Sequence, residues 1–221
     1  MPFYKKGGWG GKFYHLTGQV LVDYFYPIMD FETFYKHLEG IAPVSSSLKA
    51  YLRIAFKEHY LLDNQVLDIN LKKAFPIIFV RKGIVKTFLE SKLEPGKELL
   101  RFHFEGSIVP RLTETDQEDY KLGTYGINNS TLLMLSDGHV QNLHKLFPDF
   151  IILMARIYED LLLDLFHKAF DLHNHNAEER LRKLLLIEPN IFQIATVHDI
   201  AAAIGMRANT LSTLKNKKFN F

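Results

Sequence analysis

Thr196–Lys218 reads TVHDIAAAIGMRANTLSTLKNKK. Val197, Ile200, Ala201 and Ile204 fall on one face of a short helix, and Leu211 and Leu214 on one face of a second. Gly205 stands between them, where a corner needs a positive φ, and small Ala201 lets the two helices approach closely. The spacing predicts a helix-turn-helix. Its second helix leads with Arg207, Ala208 and Asn209, continues through Thr210, Ser212 and Thr213, and finishes with Lys215, Lys217 and Lys218. From Arg207 to Phe221 there is no acidic residue. Polar tips at the start and lysines at the end suit a helix laid in the major groove of double-stranded DNA with flanking phosphate contacts. An ordinary helical hairpin with a solvated basic tail is the plainer alternative.

Upstream, Asn176 and Glu179 have the spacing of a capping box for a helix through Leu186, preceded by the polar hinge His173–Asn176 and followed by the interruption at Pro189 and Asn190. Before the hinge a helical pattern runs from Pro148, well placed as a first-turn residue, to about His173. Such a rod would be roughly 37 Å long at ~1.5 Å per residue. Heptad reading puts Ile151, Tyr158, Leu165 and Leu172 at one seam position and Met154, Leu161 and the exceptional Lys168 at the other. A second stripe holds Phe150, Leu153, Ile157, Phe166 and Phe170. Two apolar faces need two partners: the preceding β-rich block and an identical helix in a parallel homodimer, through Ile151, Met154, Tyr158, Leu161 and Leu165. Burial within a single monomer is the other reading.

Further upstream, Glu58 to about Leu135 carries short β-rich bursts, HYLLD, IIFVRKGIVKTFL, ELLRFHF and STLLML. They are separated by Asp63-Asn64, Glu94-Pro95-Gly96, Glu105-Gly106 and Asn128-Asn129, which predicts an all-β antiparallel sandwich or barrel. Short helices are expected over FETFYKHLEG, ending at Gly40, over Ser46–Phe56 and over His139–Phe147. The glycine- and aromatic-rich stretch before Gly18 has no period and reads as a loose extension. The resulting divisions are 1–28 extension, 29–148 β-rich domain, 149–173 long helix and 174–221 helix-turn-helix domain.

The chain has 221 residues, a formal charge of +2, 47% hydrophobic residues and no cysteine. That length buries a core without staples. The missing cysteines remove disulfide scaffolds, thiolate zinc sites, iron–sulfur clusters and sulfur nucleophiles together. No run approaches the ~20 apolar residues of a membrane span, and the polar, glycine-rich stretch after Lys5 and Lys6 lacks the apolar core of a secretory signal, so a cytoplasmic location without membrane contact is expected.

The order of β-rich core, long helix, AEERLRKLLL and carboxy-terminal helix-turn-helix resembles the cyclic-AMP receptor protein and fumarate–nitrate regulator (Crp/Fnr) superfamily of bacterial transcription regulators. YLLDNQVL resembles the entry strands of that family's sensor, IIFVRKGIVKTFLE the strand, glycine turn and strand that follow, and PGKELLRFHFEGSIV the hairpin leading to its effector pocket. DIAAAIGMRANTLSTLKNKK resembles its DNA-binding corner, and the likeness spans about Phe31 to Lys218. It implies an α+β fold: an N-terminal cyclic-nucleotide-binding-type antiparallel β-roll (jelly roll), a long dimerisation helix, and a helix-turn-helix with a truncated or absent wing. It also implies a homodimer on pseudo-palindromic DNA, with RNA polymerase as a partner of an activator.

The effector pocket departs from the family. Pro110 and Arg111 stand where cyclic-nucleotide-binding members place a glycine and a ribose-binding glutamate, and the phosphate-binding Arg-Ser or Arg-Thr pair falls near Tyr120 and Lys121. A cation replaces an acceptor, so cyclic AMP is not the expected effector. Arg111 and Lys121 read either as sites for another anion or as solvated cations. The positions matching the family's base readers are Ala208, Asn209 and Thr213; asparagine pairs with adenine, and threonine with a thymine methyl or a phosphate. An iron–sulfur sensor is ruled out by composition.

Two rivals remain. A metal cupin needs a His-X-His pair on a central strand, where RFHFEG offers only His103. His173 and His175, with His167 upstream, sit instead at the end of the long helix and read as polar helix-end residues. No nucleophile elbow or phosphate loop is present, so neither enzyme, metal nor cofactor is expected. The second rival is a ligand-sensing or dimeric scaffold of the same fold without sequence-specific DNA binding.

Overall fold

The computed structural model describes residues 31–94, 98–110 and 119–218, with side chains at all of these except Ile69, Lys72, Lys217 and Lys218. The expected extension 1–28 and Arg111 lie outside the described residues.

Two amphipathic helices open the fold. In α1 (Phe31–Ile41) Phe34, Tyr35 and Leu38 share one buried stripe. In α2 (Ser46–Ala55) Leu48, Leu52 and Ala55 do the same, and the Ser45 hydroxyl accepts from the Leu48 amide at 3.2 Å as N-cap. Then come β1 (Lys57–Leu61), α3 (Ile69–Ala74), β2 (Ile77–Ser91), β3 (Glu98–His103), β4 (Ile108–Val109) and β5 (Tyr120–Leu135). The strands form one antiparallel sheet in the order β1-β5-β2-β3, with β4 also paired to β2. Short α3 interrupts the block that the sequence reads as purely β.

The long β2–β5 pair corrects two expectations. IIFVRKGIVKTFLE is one strand, and Gly83, at φ 81°, makes a bulge in it where the sequence suggests a turn. The register slips between Val80 and Lys82 and again between Lys82 and Ile84. Slippage exchanges odd and even residues between faces, so Ile78 and Val80 before the bulge and Val85 after it pack in the same cluster. Opposite lie Asn128 and Asn129, both at positive φ; they irregularise β5 rather than ending it. Asparagine tolerates that conformation better than other side-chain-bearing residues, and the kink is tied to the β1 end. The Asn128 amide donates to Asp63, and Asn129 accepts from the Asp63 amide, each at 3.0 Å.

Both faces of this sheet are covered, which explains why IIFV reads as a continuous apolar run. Ile77 and Phe79 join Leu133 and Leu135 against α1, α2 and the start of the long helix, while Ile78 and Val80 pack on the other face with Leu61, Leu132 and Met134.

The rest is helical: α4 (Asp137–Leu146), α5 (Pro148–Asn174), α6 (Ala177–Ile187), α7 (Ile191–Ile194), α8 (Val197–Ala203) and α9 (Ala208–Lys218). Pro148 occupies the first turn of α5, and the Asn176–Glu179 capping box is formed in both directions, at 3.0 and 2.9 Å. No helix among the described residues is long and apolar enough to cross a membrane.

Candidate nucleic-acid interface

The α8–α9 corner is assembled from local capping outward. Thr196 caps α8 by accepting from the Asp199 amide at 3.1 Å, and the chain turns at Gly205 with φ 65°. The Met206 amide closes the turn on the Ala201 carbonyl at 2.9 Å. Ile200, Ala201, Ile204 and Leu211 are buried and join Leu181 of α6 and Ile191 of α7. What the sequence did not reveal is the clamp. Arg180 of α6 donates from Nε to the Ile204 carbonyl at 2.6 Å, from Nη2 to the Gly205 carbonyl at 3.2 Å and from Nη1 to the His175 carbonyl at 2.5 Å. One guanidinium thus fixes the turn to the end of α5 by charge-assisted bonds.

With Leu211 inward, α9 exposes Asn209, Thr213 and Asn216 at i, i+4 and i+7, flanked by Arg207, Thr210 and Ser212. Two expected contacts are partly committed elsewhere. The Thr213 hydroxyl donates to the Asn209 carbonyl at 3.0 Å, leaving its methyl outward, and Lys215 lies 4.8 Å from the Phe192 ring centroid as a cation–π pair. Ala208 is half-buried, and the side chains of Lys217 and Lys218 lie outside the described ones.

This unit is docked on the sheet. Ile84, Leu100, Phe102 and Ile127 pack with the buried residues of α6 to α9 as one cluster. Lys86 donates to both carboxylate oxygens of Asp199 at 2.9 Å, with Asp199 only 7% exposed, and His198 Nε2 lies 2.5 Å from Glu98. A lysine on a strand covered on both faces was the available signal for such a partner.

The long helix lies differently from its heptad reading. Met154 is 4% exposed and Leu161 packs on the first core cluster, so both face this chain's own interior. These two interface assignments are corrected. The open apolar seam is Ile151, Ala155, Tyr158, Leu162, Leu165, Ala169 and Leu172, all exposed and spaced alternately four and three. Phe166 and Phe170 flank it, whereas Phe150, Leu153 and Ile157 are buried.

Nor do the expected effector residues converge. Pro110 follows β4, whose partner Ile78 is near one end of β2, whereas Tyr120 pairs with Ser91 at the other end. Lys121 is exposed. Instead, Tyr120 lines a cleft of about 660 Å³ between the sheet, at Leu89, Ser91 and Leu99, and the corner from Ala201 to Ala208. At the α5–α6 junction Asp171 accepts from Lys183 at 2.6 Å and pairs with His175 at 2.8 Å. The bond from Lys183, then that with His175, hold its carboxyl below the usual carboxylate range despite some desolvation. Among the described residues no group of His, Asp and Glu is arranged to hold a metal.

No family model matches this sequence, and no curated protein matches it. Solved structures do. A protein assigned to the Crp/Fnr family of transcriptional regulators from Eubacterium rectale superposes with a TM-score of 0.57 at 12% identity, over 78% of this chain and 82% of that one. The fold is that of a Crp/Fnr regulator. The c-di-GMP responsive global regulator CLP of Xanthomonas campestris gives a TM-score of 0.54 at 15% identity, over 78% of this chain and 91% of that one. A cyclic nucleotide-binding domain containing protein of Listeria monocytogenes gives 0.55 at 12% identity, over 84% and 88%. The shared fold covers an antiparallel sheet followed by helices.

Proposed function

We propose that this chain is a Crp/Fnr-type transcription regulator that binds pseudo-palindromic DNA as a homodimer through the α8–α9 helix-turn-helix. One observation carries the reading: α9 projects a polar face, free of acidic residues, from a corner clamped to the end of a helix whose outer seam is apolar over six turns. Pairing of two α5 helices along Ile151, Tyr158, Leu162 and Leu165 would place two α9 helices on one side of a dimer. That geometry suits half-sites about 34 Å apart. Asn209 is the candidate base reader, with Arg207, Thr210, Ser212, Thr213 and the lysines at the helix end on the backbone. Cyclic AMP is not the effector in this reading, because the ribose acceptor of the family is replaced at Arg111 and no other carboxylate is offered by the expected pocket residues. An activator would also contact RNA polymerase.

Selection of bound duplexes from a random pool tests the reading. Recovery of a two-fold symmetric site, bound with an affinity that falls steeply with salt as counterions are released, is the expected result. Failure to enrich any sequence would leave a dimeric scaffold of the same fold.

A further inference from the structure

Leu211 and Leu214 hold α9 on its own core, Leu211 buried and Leu214 packed against the same cluster. At ~100° per residue the face directly opposite carries Asn209, Ser212, Thr213 and Asn216, all four exposed. None of them is charged, and from Ala208 to Leu214 the helix has no charged residue. The described cations at its two ends are turned elsewhere. Arg207, before the first turn, lines the cleft shared with Glu94 and Glu98, and Lys215 lies over the Phe192 ring of α7, 4.8 Å from its centroid. Thr213 is fixed further. Its hydroxyl donates to the Asn209 carbonyl one turn back at 3.0 Å, which leaves the γ-methyl as its outward group.

Base edges in the major groove discriminate among such groups. Guanine is picked out by the paired donors of an arginine or lysine, and cytosine by a carboxylate that accepts from its amino group; the outward face of α9 offers neither. Adenine is picked out by an asparagine amide, which donates to N7 and accepts from the amino group, and thymine by an apolar contact with its methyl; the face offers both. A serine hydroxyl suits either kind of pair, so Ser212 adds no preference. We infer, resting on the DNA-binding reading, that α9 specifies A·T pairs and no G·C pair: Asn209 takes an adenine, and the Thr213 methyl takes a thymine methyl. The two residues stand four apart, about 6 Å along the helix axis, so the adenine and the thymine fall about two base pairs from each other. The substrate of this surface is thus an operator whose half-site core is A·T.

Selection of duplexes from a random pool by the full chain, followed by base-analogue replacement in the enriched site, tests the assignment. An adenine and a thymine about two base pairs apart are expected at the most constrained positions of the half-site. Deoxyuridine in place of that thymine removes only the methyl and should weaken binding about fourfold, the effect of one buried apolar carbon. 7-Deazaadenine in place of the adenine removes the N7 acceptor and should weaken binding about tenfold, because an Asn209 donor is left unpaired. Thr213→Val keeps a methyl and loses the hydroxyl, so it should retain the preference for thymine over uracil; Thr213→Ser should lose that preference while still binding the duplex. Constrained positions that are G·C pairs, a uracil-substituted site bound as well as the thymine site, or a preference that survives in Thr213→Ser and disappears in Thr213→Val overturns the A·T readout. A pool that enriches no sequence removes the regulator reading together with it, whereas an enriched symmetric site with a G·C core removes the A·T readout alone.

Discussion

Single residues decide how the corner is held. Gly205 sits at φ 65°, and a Cβ there would meet the Leu172 side chain of α5. Gly205→Ala should therefore cost about 1–3 kcal/mol from the backbone conformation alone, with the contact added. Urea unfolding should show part of that loss recovered in the Gly205→Ala/Leu172→Ala double variant, because the truncation relieves the contact and leaves the φ penalty. At Asn209, substitution by alanine should relax preference at one base position, by about 1–3 kcal/mol of discrimination, in a duplex competition assay. If the preference is unchanged, Asn209 is not a base reader. The turn at Gly205 and the exposed place of Asn209 on α9 were both legible in the sequence, since each follows from local geometry. Arg180 was not: its three acceptors are main-chain carbonyls, which carry no sequence signature.

Elements show the same divide between local and distant causes. Helix ends followed their caps, and the bounds of α2, α5 and α6 lie within about two residues of the sequence reading. The strands did not separate where glycine and asparagine suggested, because cross-strand pairing carries β2 through Gly83 and β5 through Asn128-Asn129. The heptad reading of α5 placed Met154 and Leu161 on the seam, but packing on α1 and the sheet turns both inward and shifts the exposed seam by one position at alternate residues, to Ala155 and Leu162. Leu165→Asp should then give monomers by light scattering with the fold intact, whereas Met154→Asp should unfold the chain, since a buried unpaired carboxylate costs several kcal/mol. A Leu165→Asp dimer would place the interface elsewhere. The junction after α5 adds a pH dependence. Because Asp171 has its folded pKa below the unfolded value of about 4, its stabilisation is complete above about pH 4 and disappears as pH falls through the folded value. Asp171→Asn should flatten that acid limb in urea midpoints measured from about pH 5 downward.

Across the whole molecule, the sheet and the α6–α9 unit share an apolar cluster and a buried ion pair, although the sequence divides them at the long helix. The change of hydrophobic period at the long helix was readable; the docking was not, because Lys86 and Asp199 are 113 residues apart. A shared cluster makes the two parts unfold together, so chemical denaturation followed by circular dichroism should show one transition. Lys86→Ala strands the buried Asp199 carboxylate, a change that typically costs ~3–5 kcal/mol and here falls on the interface between the parts. The expected result is a lowered midpoint with the α6–α9 unit released first, seen as a second transition. Replacing both charges, as Lys86→Met with Asp199→Leu, removes the stranded carboxylate and fills the volume with apolar groups, which is often neutral or stabilising. That double variant should regain a single transition. If Lys86→Ala alone leaves one transition at an unchanged midpoint, the ion pair does not hold the parts together and the apolar cluster does so by itself.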